Sequence, residues 1–162
     1  MRTKNIFQKV FLFGSLIWLM SGCDFYDPFN QYNETHRPQY HFTPPNKWMG
    51  PPTAGAYFSG EYHLFYQQNR DELTPGNTSW GHAVSKDLVY WEHLSVAIPE
   101  NENPINGSGS VLVDWKNTAE FGSLQEPAMV AFYTVHEEEE EANMEQHLAY
   151  STDLGRTWTP TK

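Results

Sequence analysis

Residues 149–158 read AYSTDLGRTW, and residues 83–91 carry the related stretch AVSKDLVYW. In both stretches an aspartate follows a serine by two positions, and a tryptophan ends the segment. An aspartate side chain accepts hydrogen bonds from the backbone amides of a turn, and Gly155 readily adopts a positive φ. Because Ala83 and Ala149 begin stretches that share this order of residue types, we interpret the two stretches as an internal repeat.

The separation between Ala83 and Ala149 recurs, to within one position, in two further places. Phe65-Tyr66 matches Phe132-Tyr133, and Trp91 matches Trp158. A separation held across three segments of the chain predicts two consecutive four-stranded units of the kind found in propeller blades. The second turn also resembles the Asp-box pattern S-x-D-x-G-x-T-W of sialidase-like propellers, for which we expect a structural and not a catalytic role.

Composition agrees with an all-β fold. Aromatic residues make up 15% of the 162 residues, and there are 11 glycines and 11 prolines, which favours short strands joined by many turns. No amphipathic helical stretch of useful length is found. Patterns typical of strands occur at Tyr57-Phe58, Tyr62–Tyr66, Ala83-Val84, Tyr90-Trp91, Ser110–Val113, Met129–Thr134 and His147–Tyr150.

The segment 1–22 is predicted to be a lipoprotein signal peptide. Basic residues precede an apolar run over 10–20, which is too short for a lasting membrane span. Ser21-Gly22-Cys23 follows, and this ending resembles a bacterial lipobox, which implies cleavage before Cys23 and acylation of its thiol. A plain signal peptide followed by a coincidental cysteine is the alternative. Cys23 is the only cysteine, so the chain forms no disulfide within itself.

Three segments therefore divide the chain: the signal peptide at 1–22, a tether at 23–39 rich in Asp, Asn, Pro and Tyr, and a β domain at 40–162. We expect an exported lipoprotein, anchored to a membrane through Cys23 and facing either the periplasm or the cell surface.

The segment 40–162 resembles family 32 glycoside hydrolases, which include invertases, levanases, inulinases and other β-fructosidases. The resemblance is carried by residues 41–45 (HFTPP), 47–49 (KWM), 60–67 (GEYHLFYQ), 80–88 (WGHAVSKDL), 108–111 (SGSV), 114–115 (DW) and 149–151 (AYS). It implies an all-β fold, namely an incomplete five-bladed β-propeller with blade one and most of blade two. It also implies glycosidase chemistry on fructans or sucrose-like carbohydrates with no cofactor.

The family's catalytic motifs are altered or missing in this sequence. Family members are retaining enzymes that use two carboxylates, and the nucleophile lies in a W-M-N-D-P-N-G motif. Residues 48–54 read WMGPPTA here, so the nucleophile position falls on Pro51. The R-D-P and E-C motifs follow the Asp box in the family, whereas this sequence stops at Lys162. We therefore expect an inactive relative; rescue by the nearby Glu61 is not expected, because Glu61 matches an ordinary turn position.

Other pocket positions divide into lost and retained ones. A substrate-contacting Asn falls on Gly50, a subsite Trp on Pro75, and the Phe before S-G-S on Gly107. Three substrate-binding candidates remain: Trp48, whose ring can stack on a sugar face, and Gln67 and Ser108, which can hydrogen-bond fructose hydroxyls. The alternative is that these three residues only pack and reflect ancestry.

Several other functions are disfavoured. The net charge of −10 argues against binding to nucleic acid, whose phosphates require a basic surface. The acidic run 136–141 (HEEEEE) is interpreted as a solvated loop in preference to a cation site, and the seven histidines show no metal spacing. We expect no metal.

Three functional hypotheses stay open at this point. The chain is a truncated or decayed, inactive fructan hydrolase, or a non-catalytic fructan-binding lipoprotein or subunit, or a glycosidase that uses an unrecognised carboxylate. Two blades leave open sheet edges, so a second chain that supplies the missing blades is the expected partner in the subunit case.

Overall fold

A computed structural model describes residues 35–38, 40–100, 104–137 and 144–161. The signal segment, Cys23, most of the tether and most of the acidic run lie outside the described residues. Within the described part every regular element is a strand, as the sequence predicts. The eight strands are β1 (Trp48–Phe58), β2 (Glu61–Asn69), β3 (Ser79–Ser85), β4 (Glu92–His93), β5 (Pro104–Val113), β6 (Met129–Glu137), β7 (Glu145–Ser151) and β8 (Thr159–Thr161).

The strands form two four-stranded antiparallel sheets. The first sheet has the order β1-β2-β3-β4 and the second has the order β5-β6-β7-β8. Within each sheet the strands pair in sequence order, so each sheet is a meander of the kind that makes a propeller blade. The prediction of two consecutive four-stranded units is confirmed, and the described part of the chain is a partial propeller.

Two of the strands extend further than the sequence pattern indicates. β1 contains Pro51 and Pro52, which read as turn residues, yet β1 is an edge strand of the first sheet, where a missing N–H is tolerated. β5 begins at Pro104 and not at Ser110, because a register shift between Asn106 and Gly109 absorbs the glycine-rich stretch without ending the pairing.

The two repeat turns have the same internal hydrogen bonds. In the second turn, Asp153 Oδ1 accepts from the Thr157 amide at 2.9 Å and Ser151 Oγ accepts from the Gly155 amide at 2.9 Å. The Trp158 indole N–H donates back to the Gly155 carbonyl at 3.0 Å.

The first turn repeats this arrangement. Asp87 Oδ1 accepts from the amides of Val89 and Tyr90, both at 2.9 Å, and the Trp91 indole donates to the Leu88 carbonyl at 3.2 Å. Both aspartates therefore use their carboxylates to build a turn, which is the structural role that the sequence predicts.

The core lies at the interface between the two sheets. Residues from both sheets form one buried cluster, and Phe65 and Trp80 of the first sheet have no exposed surface. The members contributed by the second sheet are Val111, Met129, Ala131, Tyr133, Val135 and Ala149. Burying these apolar side chains against each other is the main driving force that joins the sheets.

A chain of polar contacts runs through this apolar interface. His63 Nδ1 lies 3.0 Å from His82 Nε2, and His82 Nδ1 lies 3.1 Å from the carbonyl oxygen of Gly155 in the second sheet's turn. The His82 ring also stacks on Phe65 with a centroid separation of 4.2 Å. We call this chain of contacts the histidine relay (His63, His82, Gly155).

The relay fixes the tautomer of both rings. A carbonyl oxygen only accepts, so His82 donates from Nδ1; when both imidazoles are neutral, Nε2 of His82 then accepts from Nδ1 of His63. That leaves Nε2 of His63 as a buried acceptor with no hydrogen-bond partner among the described residues. This is the set of hydrogen bonds that two neutral imidazoles make.

Burial favours the same neutral state. Burial, followed by the neighbouring His63, lowers the pKa of His82 to about 3. Burial also lowers the pKa of His63, against the opposing effect of the Glu61 carboxylate and with a further lowering by Arg156. Glu61 and Arg156 form an ion pair at 2.8 Å beside the relay.

The depressed pKa values predict that stability falls on mild acidification. The unfolded chain takes up protons on these histidines near pH 6.5, whereas in the folded chain the pKa of His82 is about 3 and the pKa of His63 lies below its ordinary value. The unfolded state therefore binds more protons below pH 6.5, and the free energy of unfolding decreases by up to about 1.4 kcal/mol per pH unit for each histidine. Urea unfolding of the full chain between pH 7.5 and 5 measures this slope.

Two variants test the origin of the slope. His82→Phe keeps an aromatic ring against Phe65 but cannot titrate, so it is expected to be less stable at pH 7.5 and to show a shallower pH dependence. His36→Ala, which alters an exposed histidine, is expected to keep the wild-type slope. A wild-type stability that is flat from pH 7.5 to 5 would contradict the relay as described.

Candidate carbohydrate site

Trp48 and Gln67 meet at a bulge in the first sheet. The pairing of β1 with β2 shifts between Met49↔Gln68 and Pro52↔Tyr66, so Gly50 and Pro51 together lie opposite Gln67. A Cβ placed on Gly50 would lie 2.6 Å from Cη2 of Trp48 and 3.1 Å from Cβ of Gln67. The structure therefore brings Trp48 and Gln67 together over a glycine.

The glycine has a direct consequence for the shape of the site. Where the family motif has an asparagine, Gly50 leaves space that the Trp48 ring occupies. An asparagine side chain at this position would overlap that ring, so the ring would have to move away. Trp48 is half-buried.

Pro51 occupies the same bulge and is exposed. It offers neither a nucleophilic side chain nor a backbone N–H to this part of the surface. Glu61 lies at the opposite end of β2, six residues from Gln67 in an extended strand, a distance of about 20 Å. Its carboxylate pairs with Arg156, so Glu61 is positioned to support the sheet interface and not to replace a group at Pro51.

Ser108 lies in a second bulge, on the first strand of the other sheet. The pairing of β5 with β6 shifts between Asn106↔Val135 and Gly109↔Tyr133, so Gly107 and Ser108 together lie opposite Thr134. Ser108 is exposed, whereas Gly107 is buried close to Thr134. β1 and β5 contact each other across the sheet interface, so each of these neighbouring strands presents one bulge.

Trp80 connects the two bulges. It lies directly opposite Gln67 in the β2–β3 ladder, and its indole N–H donates to the Gly107 carbonyl at 2.7 Å. Sequence reasoning missed Trp80 as a residue with a role at the site. The available signal was its position within the WGH stretch at 80–82, but the hydrogen bond depends on packing between sheets, which no local pattern reveals.

The two other altered family positions have different surroundings. Pro75 is exposed in the loop between β2 and β3 and presents no aromatic ring to a ligand. Gly107 forms the buried half of the β5 bulge; a Cβ there would lie 3.3 Å from the Thr134 carbonyl oxygen. Neither position carries the aromatic side chain that the resemblance implies there.

An ion pair lies just after the end of β2. Arg70 and Glu100 bind through several nitrogen–oxygen contacts, which link the end of β2 to the segment before β5. The hydrogen bond that Arg70 donates to the Glu100 carboxylate raises the pKa of Arg70. Burial acts to raise the pKa of Glu100, but the hydrogen bonds that its carboxylate accepts from Arg70, from its own backbone and from Ser79, together with the charge of Arg70, lower it overall. Both groups are thus charged and paired with each other.

Metal ligation and membrane insertion gain no support from the described part of the chain. No three His, Cys, Asp or Glu side chains come together there in a way that would hold a metal ion. Among the same residues no helix is long and apolar enough to cross a membrane.

Sequence comparison relates the chain to fructan-cleaving enzymes. The family model described as "Glycosyl hydrolases family 32 N-terminal domain" matches residues 41–162. A levanase of Bacillus subtilis (strain 168) is 46% identical over 156 residues, which is 96% of this chain and 22% of the levanase. An extracellular exo-inulinase of Aspergillus awamori is 38% identical over 143 residues, covering 79% of this chain and 27% of the relative.

Solved structures give the same result. The crystal structure of exo-inulinase from Aspergillus awamori matches with a TM-score of 0.73 at 38% identity, over 80% of this chain and 28% of that one. The β-fructofuranosidase of Schwanniomyces occidentalis, solved in complex with fructosyl-erythritol, matches with a TM-score of 0.71 at 37% identity. The match covers 82% of this chain and 26% of that one. The chain thus spans about a quarter of the length of these relatives. Residues 41–162 match the N-terminal domain of the family, so the chain belongs to glycosyl hydrolase family 32.

Proposed function

We propose that this chain is a fructan-recognising relative of the β-fructosidases that does not itself hydrolyse glycosidic bonds. The observation that carries the proposal is Pro51 in the β1 bulge, opposite Gln67. A family-32 nucleophile is expected at this position, next to a ring that stacks on sugar and an amide that bonds to it.

The chemistry explains why one substitution has so large an effect. A retaining glycosidase needs one carboxylate to form the glycosyl-enzyme and a second, about 5–5.5 Å away, to protonate the leaving group. A pyrrolidine ring forms no such covalent intermediate. Loss of one member of a catalytic set generally removes most of the rate enhancement of the whole set, so we expect hydrolysis to be orders of magnitude slower than in a member with the complete set.

Support for sugar recognition comes from what remains at the two bulges. Trp48 offers a partly open aromatic face, Gln67 an amide, and Ser108 an exposed hydroxyl. An aromatic face with a few hydrogen-bonding groups is a typical arrangement for binding a small polar ligand. The relatives are a levanase and an exo-inulinase, so levan, inulin and sucrose are the carbohydrates that we propose for this chain.

Incubating the full chain with levan, inulin and sucrose, and then measuring free fructose, tests the proposal. No fructose above the buffer control is expected. Calorimetric titration with oligosaccharides derived from levan and inulin is expected to show binding, and Trp48→Ala is expected to weaken it at least about tenfold.

The matched control is Trp115→Ala. Trp115 is 63% exposed and packs edge-on against Phe58, close to the β1–β2 hairpin and far from Gln67. This variant should bind as the wild type does. Fructose release by the wild type would refute the non-hydrolytic half of the proposal. Absence of binding heat, or equal affinity in Trp48→Ala, would refute the recognition half.

We further propose that the protein is exported and is held at a membrane by a lipid on Cys23. Support comes from the lipobox-like Ser21-Gly22-Cys23 and from the extracellular exo-inulinase among the relatives. In a bacterium that processes lipoproteins, radioactive palmitate should label the wild type but not Cys23→Ala, and only the variant should leave the membrane fraction. An unlabelled wild type would rule out the anchor.

A further inference from the structure

Trp80 is held rigidly in the first sheet. It has no exposed surface, and its backbone N–H and C=O bind Ile98 O at 2.8 Å and Ala97 N–H at 2.9 Å. On its other side β3 pairs with β2, where Trp80 is the partner of Gln67. The backbone of Trp80 is therefore fixed from both sides, and its position relative to Gln67 is set by the ladder.

The Trp80 side chain crosses to the second sheet. Its indole N–H donates to the Gly107 carbonyl at 2.7 Å, and its ring packs against Tyr133 with a centroid separation of 5.8 Å. A buried hydrogen bond of this length resists bending of the groups that it joins, because breaking it would leave a buried donor and a buried acceptor without partners.

The acceptor is the residue that precedes Ser108. At a bulge two residues share one partner on the opposite strand, so regular pairing does not by itself set the position of Gly107 and Ser108. Hydrogen bonds to residues outside the β5–β6 pair hold this segment instead. The backbone N–H of Asn106 donates to the Thr78 carbonyl, and its side-chain Nδ2 donates to the Pro99 carbonyl. The Trp80 indole N–H donates to the Gly107 carbonyl.

We infer that Trp80 is a positioning residue, which fixes the Ser108 hydroxyl at a set distance from Gln67 across the two sheets. The inference rests on the proposed recognition of fructan and names the residue that aligns the two hydrogen-bonding groups. Trp80 itself does not contact the sugar, because it is fully buried.

Trp80→Phe tests the inference, because it retains an aromatic ring and removes the N–H. Trp158→Phe is the matched control. Trp158 also donates its indole N–H to a carbonyl, that of Gly155, and also packs at the sheet interface against Phe65. Calorimetric affinity for the levan- and inulin-derived oligosaccharides is expected to fall about tenfold in Trp80→Phe and to stay within about twofold of the wild type in Trp158→Phe.

A second readout does not depend on sugar. Amide hydrogen exchange at residues 107–109 is expected to accelerate in Trp80→Phe relative to the amides of β7, and not to do so in Trp158→Phe. If the wild type binds no fructan, the proposed function fails, and this exchange pattern alone decides whether Trp80 holds the bulge. Unchanged affinity together with unchanged exchange in Trp80→Phe would overturn the inference.

Gly107→Ala provides a variant that leaves the Trp80 ring in place. The new Cβ would lie 3.3 Å from the Thr134 carbonyl oxygen, so the bulge must shift by a few tenths of an ångström. We expect the same loss of affinity as in Trp80→Phe. Here the Gly107 carbonyl is displaced, whereas in Trp80→Phe the indole N–H is lost. Wild-type affinity in a folded Gly107→Ala chain would count against a role for the bulge position.

Discussion

The hydrogen bond from His82 to the Gly155 carbonyl is the contact on which the described structure depends most. It is one of the polar links across a largely apolar interface, and it joins a strand of the first sheet to a turn of the second. Glycine is needed at this point for two reasons. Gly155 has a φ of +78°, and a Cβ there would lie 2.7 Å from Cε1 of His82. One residue therefore both shapes the Asp-box turn and lets the neighbouring sheet approach.

The candidate site is a product of the same interface. β1 and β5 meet where the sheets pack, and each carries a bulge that turns residues out of the ladder. One bulge presents Gly50 and Pro51 beside Trp48 and Gln67, and the other presents Ser108. Bulges are common where a sheet must aim side chains at a ligand. In the proposed function this frame binds the sugar, and Pro51 occupies the position at which the resemblance implies a nucleophile.

The sequence predicted the repeat, the two four-stranded sheets and the family, because these depend on local patterns. The serine, aspartate and tryptophan of each turn act within a few residues of each other, and the structure shows the same hydrogen bonds in both copies. β1 and the start of β5 were not predicted in full. Proline and glycine in those strands indicate turns unless one knows that β1 lies at a sheet edge and that β5 bulges. The histidine relay and the Trp80 hydrogen bond arise only when two distant segments pack, so no sequence pattern reveals them.

The central claim is that the two sheets form a single folded unit that still recognises fructan. Thermal unfolding of the full chain, followed by near-UV circular dichroism with and without levan- and inulin-derived oligosaccharides, tests it most directly. The aromatic residues at the interface report on packing between the sheets. We expect one cooperative transition that moves to higher temperature with the oligosaccharides, since a ligand that binds only the folded state stabilises it. A gradual loss of signal, or a transition that no oligosaccharide moves, would contradict the claim.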